Sequence, residues 1–380
     1  LEPEELGAFL AREEIGGLNV TIPYKRDVMA YCDVLDPMEE AIGSVNTLVR
    51  RADGKLYGYN TDAAGFCFMA QRAGIGFAGR KTLVLGSGGA SRTAAACAKK
   101  LGAREVVVIS RSGENNYTNL GRHADAERIV NTTPVGMYPN NGAAAVDLTA
   151  FPACAGVLDL IYNPRRTALL LQAETLGIPC SDGLPMLVAQ AKAAEEYFFA
   201  KPIAESENER ILAQLRREMT NLVLIGMPGS GKSAVGAALA ALTGREAIDI
   251  DARIAEKAGC SIPEIFAKGG EAAFRALERE ATAACGALSG KLLLTGGGVV
   301  KTPENYAALH QNGRIYQLLR PLELLPTDGR PLSQGADLAA MWAERAPLYE
   351  RFRDAAIDNS GTVEQTAQAI WRDFCENSGH

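Results

Sequence analysis

Short apolar runs alternating with amphipathic stretches set the rhythm of this chain. Thr82-Leu83-Val84-Leu85 and Leu222-Val223-Leu224-Ile225 carry no polar alternation, the pattern of strands buried on both faces of a parallel sheet. Each run leads into a glycine cluster and then an alanine-rich helical pattern, over Lys81–Leu101 and Asn221–Leu242. Further strands are predicted at Val106–Ser110, Arg128–Asn131 and Val157–Leu160, and again at Ala247–Ile250, Lys291–Thr295 and Arg314–Leu318. Strands spaced by helices predict an α/β protein with two doubly wound parallel-sheet units.

Pro202 ends the helical pattern before the junction, and Glu205–Glu218 reads as a charged, weakly amphipathic helix. Such a helix could close the first unit or act as a spacer; because it is marginal alone the first reading is preferred, with a boundary near Glu218. The expected domains are residues 1–62, 63–218 and 219–380.

At 380 residues there is room for more than one core. A net charge of −6 argues against a nucleic-acid partner but not against small anions, which a few local arginines can hold. No apolar run suits a membrane span and no secretory leader is visible. The eight cysteines lack any C-x-x-C pair, as expected of reduced thiols in a cytoplasmic protein. With only three histidines, proton transfer falls to Lys, Asp, Glu or Tyr.

The second glycine cluster, Gly226-Met227-Pro228-Gly229-Ser230-Gly231-Lys232-Ser233, satisfies the whole P-loop pattern between a strand and a helix. Its amides can turn around a polyphosphate, Lys232 can reach the terminal phosphates, and the Ser233 hydroxyl suits Mg²⁺. Downstream, Asp249-Ile250-Asp251 ends a predicted strand, where one carboxylate can support a metal and the other accept a hydroxyl proton. Phe274-Arg275-x-x-Glu278 shares a helical face, which a plain surface ion pair would also do. Gly296-Gly297-Gly298, Arg330 in Gly329-Arg330-Pro331-Leu332, and Arg345 in Arg345-Ala346-Pro347-Leu348-Tyr349 complete the set.

Together these motifs resemble shikimate kinase over about residues 221–378. The resemblance implies that ATP and Mg²⁺ are used and that Asp251 holds and deprotonates the acceptor hydroxyl. It implies that Asp249 supports the metal through water and that Arg275 and Arg345 clamp the shikimate carboxylate. Gly297 and Gly298 would lie beside the ring hydroxyls, and Arg330 would face the transferring phosphoryl group. The segment between Arg320 and Arg330 is shorter than the family's lid and has no internal arginine.

The first cluster, Gly86-x-Gly88-Gly89-x-x-Arg92, is a dinucleotide fingerprint with Ser91 in place of its third glycine. The next strand ends in Ser110-Arg111-Ser112, where an arginine between hydroxyls suits a 2′-phosphate and hence NADP. Upstream, polar residues end the apolar stretches Asn19–Lys25, Gly43–Thr47 and Gly58–Asp62. By spacing alone, Lys25 and Asp62 could share a proton or form a structural ion pair.

In their order, these segments resemble shikimate dehydrogenase over about residues 1–217. So do Asn131–Met137, Asp159–Pro164 and Gly183–Ala191. The expected fold is a Rossmann NADP-binding domain with a partial α/β substrate domain, followed by the P-loop kinase domain. The resemblance implies Lys25 and Asp62 as the catalytic pair, with NADPH delivering hydride to 3-dehydroshikimate. Thr21, Asn46, Tyr162 and Gln190 would contact that substrate.

Two departures are visible. Arg111–Asn131 is short for a crossover that should hold a helix, and the chain starts at Leu1 rather than Met. The family begins several dozen residues earlier, with paired serines for the substrate carboxylate. The expectation is therefore an intact kinase beside a dehydrogenase impaired in substrate binding. A quinate-type dehydrogenase, or a non-catalytic NADP-binding module, are the alternative readings of the first half.

Overall fold

The computed structural model describes residues 2–12, 14–325 and 338–377. The chain forms two compact units, Leu1–Leu212 and Ala213–His380.

In the first unit, β1 (Gly17–Asn19), β2 (Val34–Leu35), β3 (Thr47–Arg50) and β4 (Leu56–Tyr59) form a sheet of order β1-β3-β4-β2. Only the β2–β4 pairing is parallel. Leu10, Val28, Val45 and Leu48 pack its small core. The helix Thr61–Arg72 then leads into a second, wholly parallel sheet. Its strands are β5 (Lys81–Leu85), β6 (Glu105–Ile109), β7 (Arg128–Asn131), β8 (Val157–Asp159) and β9 (Cys180–Ser181), in the order β6-β5-β7-β8-β9.

The apolar runs explain this order. Every residue of β5 and β7 is buried, as central strands covered on both faces require. The edge strand β6 instead exposes Glu105 and Val108. Order reverses at β5, so the crevice beyond the carboxyl ends of β5 and β7 is where an open α/β sheet takes its ligand. Between β6 and β7 the chain makes only the 3₁₀ turn Leu120–His123, in place of a crossover helix.

The second unit repeats the scheme with β10 (Asn221–Ile225), β11 (Ala247–Asp249), β12 (Leu292–Leu294), β13 (Gly313–Leu319) and β14 (Ala355–Asp358). The sheet is all parallel, ordered β11-β12-β10-β13-β14. Here β10 is the fully buried centre and the switch point, with β12 on one side and β13 on the other.

The division between units falls inside the helix Ser206–Met219. Within the first unit, Glu209 pairs with Arg72 at 3.0 Å. Within the second, the Met219 carbonyl accepts from the Gly290 amide at 2.9 Å. This helix is more amphipathic than its charge suggested, because Asn208, Leu212 and Arg216 line one buried face at four-residue spacing. Among the described residues, no helix is long and apolar enough to cross a membrane.

Candidate functional sites

In the second unit the P-loop links β10 to the helix Lys232–Thr243. Gly231, at φ +94°, begins that helix without a side-chain cap, so the first amides remain available to an anion. Lys232 lies back along the loop, its Nζ donating to the carbonyls of Gly226 and Met227 at 2.9 and 3.1 Å. A cavity of about 380 Å³ opens beside it, lined by Gly229, Lys232, Ser233, Asp249, Asp251, Arg275, Gly296–Gly298 and Arg345.

β11 stops at Asp249, whose carboxylate caps the helix Ile250–Ala258 by accepting from the Ala252 amide at 3.2 Å. The two aspartates therefore stand apart in role as well as place, with Asp251 in the helix's first turn. Burial, and then the neighbouring Asp249 charge, push the Asp251 carboxyl above the ordinary aspartate range, against the pull of Lys232 and Arg275. Its Oδ1 is buried without a hydrogen-bond partner, an acceptor left for a ligand.

The arginines are held by main-chain carbonyls. Arg275 Nη1 donates to Glu278 at 2.6 Å and to the Gly298 carbonyl at 3.1 Å, while its Nη2 reaches Glu271 at 3.1 Å. Glu278 is 1% exposed, so this pair is buried rather than a surface ornament. Arg345 Nη1 donates to the Gly297 carbonyl at 3.1 Å, and the Tyr349 hydroxyl donates to the same oxygen at 2.5 Å.

Each glycine of the triplet faces a different neighbour. A Cβ on Gly296 would stand 2.7 Å from Asp251 Oδ1, and one on Gly297 would stand 2.7 Å from Pro228 Cδ. One on Gly298 would overlap the Arg275 guanidinium. Glu271 and Tyr349 were not assigned from sequence, although each lies four residues from an assigned arginine on the same helical face. Arg330 and the short segment before it lie outside the described residues.

Lys232, Ser233, Asp249 and the bare helix terminus fit a nucleotide–Mg²⁺ pair. Among the described residues no cluster of three His, Cys, Asp or Glu side chains forms a metal cage. Mg²⁺ commonly keeps waters and takes few protein ligands, as this donor set would allow.

In the first unit, Lys25 Nζ and Asp62 Oδ2 are 2.7 Å apart and both side chains are partly exposed. Asp62 lies in the first turn of Thr61–Arg72, which Asn60 caps through the Ala63 amide at 3.3 Å. Asn60 is in turn fixed by the Ser44 carbonyl at 2.9 Å. Asn46 Oδ1 is occupied internally, accepting from the Thr61 amide at 2.8 Å, so its amide nitrogen is the atom left for a ligand. Gln190 meets the Thr61 hydroxyl at 3.4 Å and donates to the Leu187 carbonyl at 3.0 Å. Thr21 and Tyr162 are exposed.

At the fingerprint, Gly86 takes φ +111° and a Cβ there would stand 2.7 Å from Thr132 Oγ1. Gly88 precedes the helix Gly89–Lys100, again without a side-chain cap, and nothing lies within 4 Å of where its Cβ would stand. Ser91, in the missing glycine's place, is buried and donates to the Gly86 carbonyl at 2.6 Å, closing the turn by hydrogen bonding instead of by smallness. Arg92 Nε is buried without a partner behind this turn. Ser110 pairs with Asn116 across an isolated bridge. Arg111 beside it is exposed, so the cradle and its flanking cation fit a phosphorylated dinucleotide.

These two sites define a dinucleotide-dependent oxidoreductase followed by a P-loop phosphotransferase. The sequence matches the family model "Shikimate dehydrogenase substrate binding domain" over residues 2–48 and "Shikimate kinase" over residues 228–374. It is 38% identical over 215 residues to a shikimate dehydrogenase (NADP(+)) of Clostridium perfringens strain SM101, covering 53% of this chain and 79% of that protein.

Among solved structures it resembles a chorismate mutase/shikimate 5-dehydrogenase fusion protein from Clostridium acetobutylicum, with 34% identity and a TM-score of 0.54. That match covers 57% of this chain and 84% of the other. A quinate dehydrogenase from Corynebacterium glutamicum in complex with NAD matches with 26% identity and a TM-score of 0.51, covering 56% and 83%. The chain belongs to the shikimate dehydrogenase family and carries a shikimate kinase domain after it, a bifunctional enzyme of the shikimate pathway.

Proposed function

We propose that the second unit transfers the γ-phosphate of ATP to the 3-hydroxyl of shikimate, with Asp251 as the base. The buried, unpartnered Oδ1 of Asp251 facing the P-loop cavity carries this reading. Arg275 and Arg345 hold the acceptor's carboxylate through charge-assisted hydrogen bonds. Asp251 then takes the hydroxyl proton as the oxygen bonds to phosphorus and ADP leaves. Lys232 and the amides of the P-loop offset charge on the phosphates. Ser233, and Asp249 through water, would hold Mg²⁺, which would supply further neutralisation of the phosphate charge. Arg330 is assigned to the same charge on the strength of its motif.

In the first unit a bound NADPH would supply the hydride needed to reduce the carbonyl carbon of 3-dehydroshikimate. Gly86, Gly88, Gly89 and Arg92 would hold its pyrophosphate, with Ser110 and Arg111 at the 2′-phosphate. Lys25 gives a proton to the carbonyl oxygen and is reprotonated from solvent, while the Asp62 carboxylate holds the ammonium in place. Thr21, Asn46, Tyr162 and Gln190 orient the hydroxyls. The quinate dehydrogenase likeness makes the ring substituent an open choice at this site.

The test is a pair of assays on the whole chain: phosphorylation of shikimate by ATP, and NADP-linked oxidation of shikimate beside quinate. No phosphorylated product would sink the first assignment. Faster turnover of quinate than of shikimate would replace the second.

A further inference from the structure

Arg320 follows β13 directly and has no role in the scheme above. Its Nη1 lies 4.0 Å from where a Cβ on Gly231 would stand, against the outer wall of the P-loop. Its Nε is buried without a partner. Arg314, Arg353 and Arg245 do have partners, in Asp373 at 2.9 Å, Gln317 at 2.9 Å and the Thr220 carbonyl at 2.6 Å. Arg345 also buries an unpartnered Nε, but its Nη1 is held by the Gly297 carbonyl at 3.1 Å. A half-buried guanidinium is costly to leave without an anion, unless an anion arrives.

Sheet order decides which anion. Asp249, Asp251 and the glycine triplet come from β11 and β12, on one side of β10. Arg320 comes from β13, on the other side, and unlike Arg275 and Arg345 it is not among the residues that line the acceptor cavity. Asn359, which follows β14, stiffens this wall. Its Nδ2 donates to the Ser230 carbonyl at 2.7 Å, and its amide donates to the Leu319 carbonyl at 2.8 Å, next to Arg320.

We propose that Arg320 is a nucleotide-binding residue that contacts the polyphosphate from the β13 side of the P-loop. It rests on the phosphotransferase reading only in requiring that this loop bind a nucleotide. The guanidinium adds a fixed positive charge to that of Lys232, and its position beside Gly231 keeps it clear of the acceptor pocket.

The test uses the full chain with Arg320→Ala and Arg320→Lys, titrated calorimetrically with ADP and separately with inorganic tripolyphosphate. For Arg320→Ala, both dissociation constants should rise about tenfold or more, as loss of a charge-assisted contact predicts. Arg320→Lys should fall between, and the KM for shikimate should stay unchanged. ADP binding altered by less than about twofold would overturn the proposal. So would weakened ADP binding with tripolyphosphate unaffected, since that places Arg320 on the base. ADP binding needs no acceptor, so wild-type protein that binds ADP but leaves shikimate unphosphorylated would defeat the acceptor assignment and not this one.

Discussion

Gly298 and Arg275 meet so closely that the glycine carbonyl accepts from Nη1 at 3.1 Å while its α-carbon has no room for a methyl group. The Arg275 guanidinium is thus positioned by main chain on one side and by buried Glu278 on the other. Gly298→Ala must displace it. The expected result is a loss of roughly 10–100-fold in kcat/KM for shikimate, as about an ångström of misplacement can cause. The KM for ATP should hold, and steady-state kinetics with each substrate varied in turn checks both.

Asp251→Asn should lower kinase turnover by about 10²–10⁴-fold, the usual worth of a positioned base, with ADP affinity retained. The pH profile follows from burial. Only the ionised carboxylate accepts a proton, so kcat/KM falls as pH drops through its pKa. Because that pKa is raised, the acid limb should lie above the value of about 4 usual for aspartate. A limb at or below that value would contradict the buried environment.

Tyr349→Phe removes the 2.5 Å bond to the Gly297 carbonyl and leaves Arg345 as its remaining side-chain donor. The KM for shikimate should rise about tenfold, the scale of one lost buried hydrogen bond. Burial pushes the phenol up to about 12, so it stays a neutral donor through the assay range. The ratio of mutant to wild-type kcat/KM should therefore stay flat between about pH 6 and 9.

For the first unit, Lys25→Met and Asp62→Asn should each cut dehydrogenase turnover by about 10²–10⁴-fold and leave shikimate phosphorylation intact. NADPH oxidation and ADP release, followed on the same preparation, separate the two outcomes. Equal loss of both activities would point to a folding defect instead.

Much of this was legible from residue order. The fully apolar runs became the central strands, with β7 falling on Arg128–Asn131 as read. The P-loop and both aspartates stand at the carboxyl edge that their spacing implied. The short edge strands β9 and β14 were missed because two to four half-exposed residues carry no distinct period. Spacing could not decide between a buried and a surface Arg275–Glu278 pair, since burial depends on what packs over the helix. Nor could it show that the Gly297 and Gly298 carbonyls anchor the arginines, because main-chain acceptors leave no trace in side-chain chemistry.

The glycine triplet has a consequence for how this acceptor pocket can evolve. Three successive positions are committed to three separate obligations, toward Asp251, Pro228 and Arg275, so the loop has no spare degree of freedom for recognising a new ring. A shift in acceptor preference has to be written elsewhere on the wall, in the apolar side chains of Ile262, Pro263 and Met341.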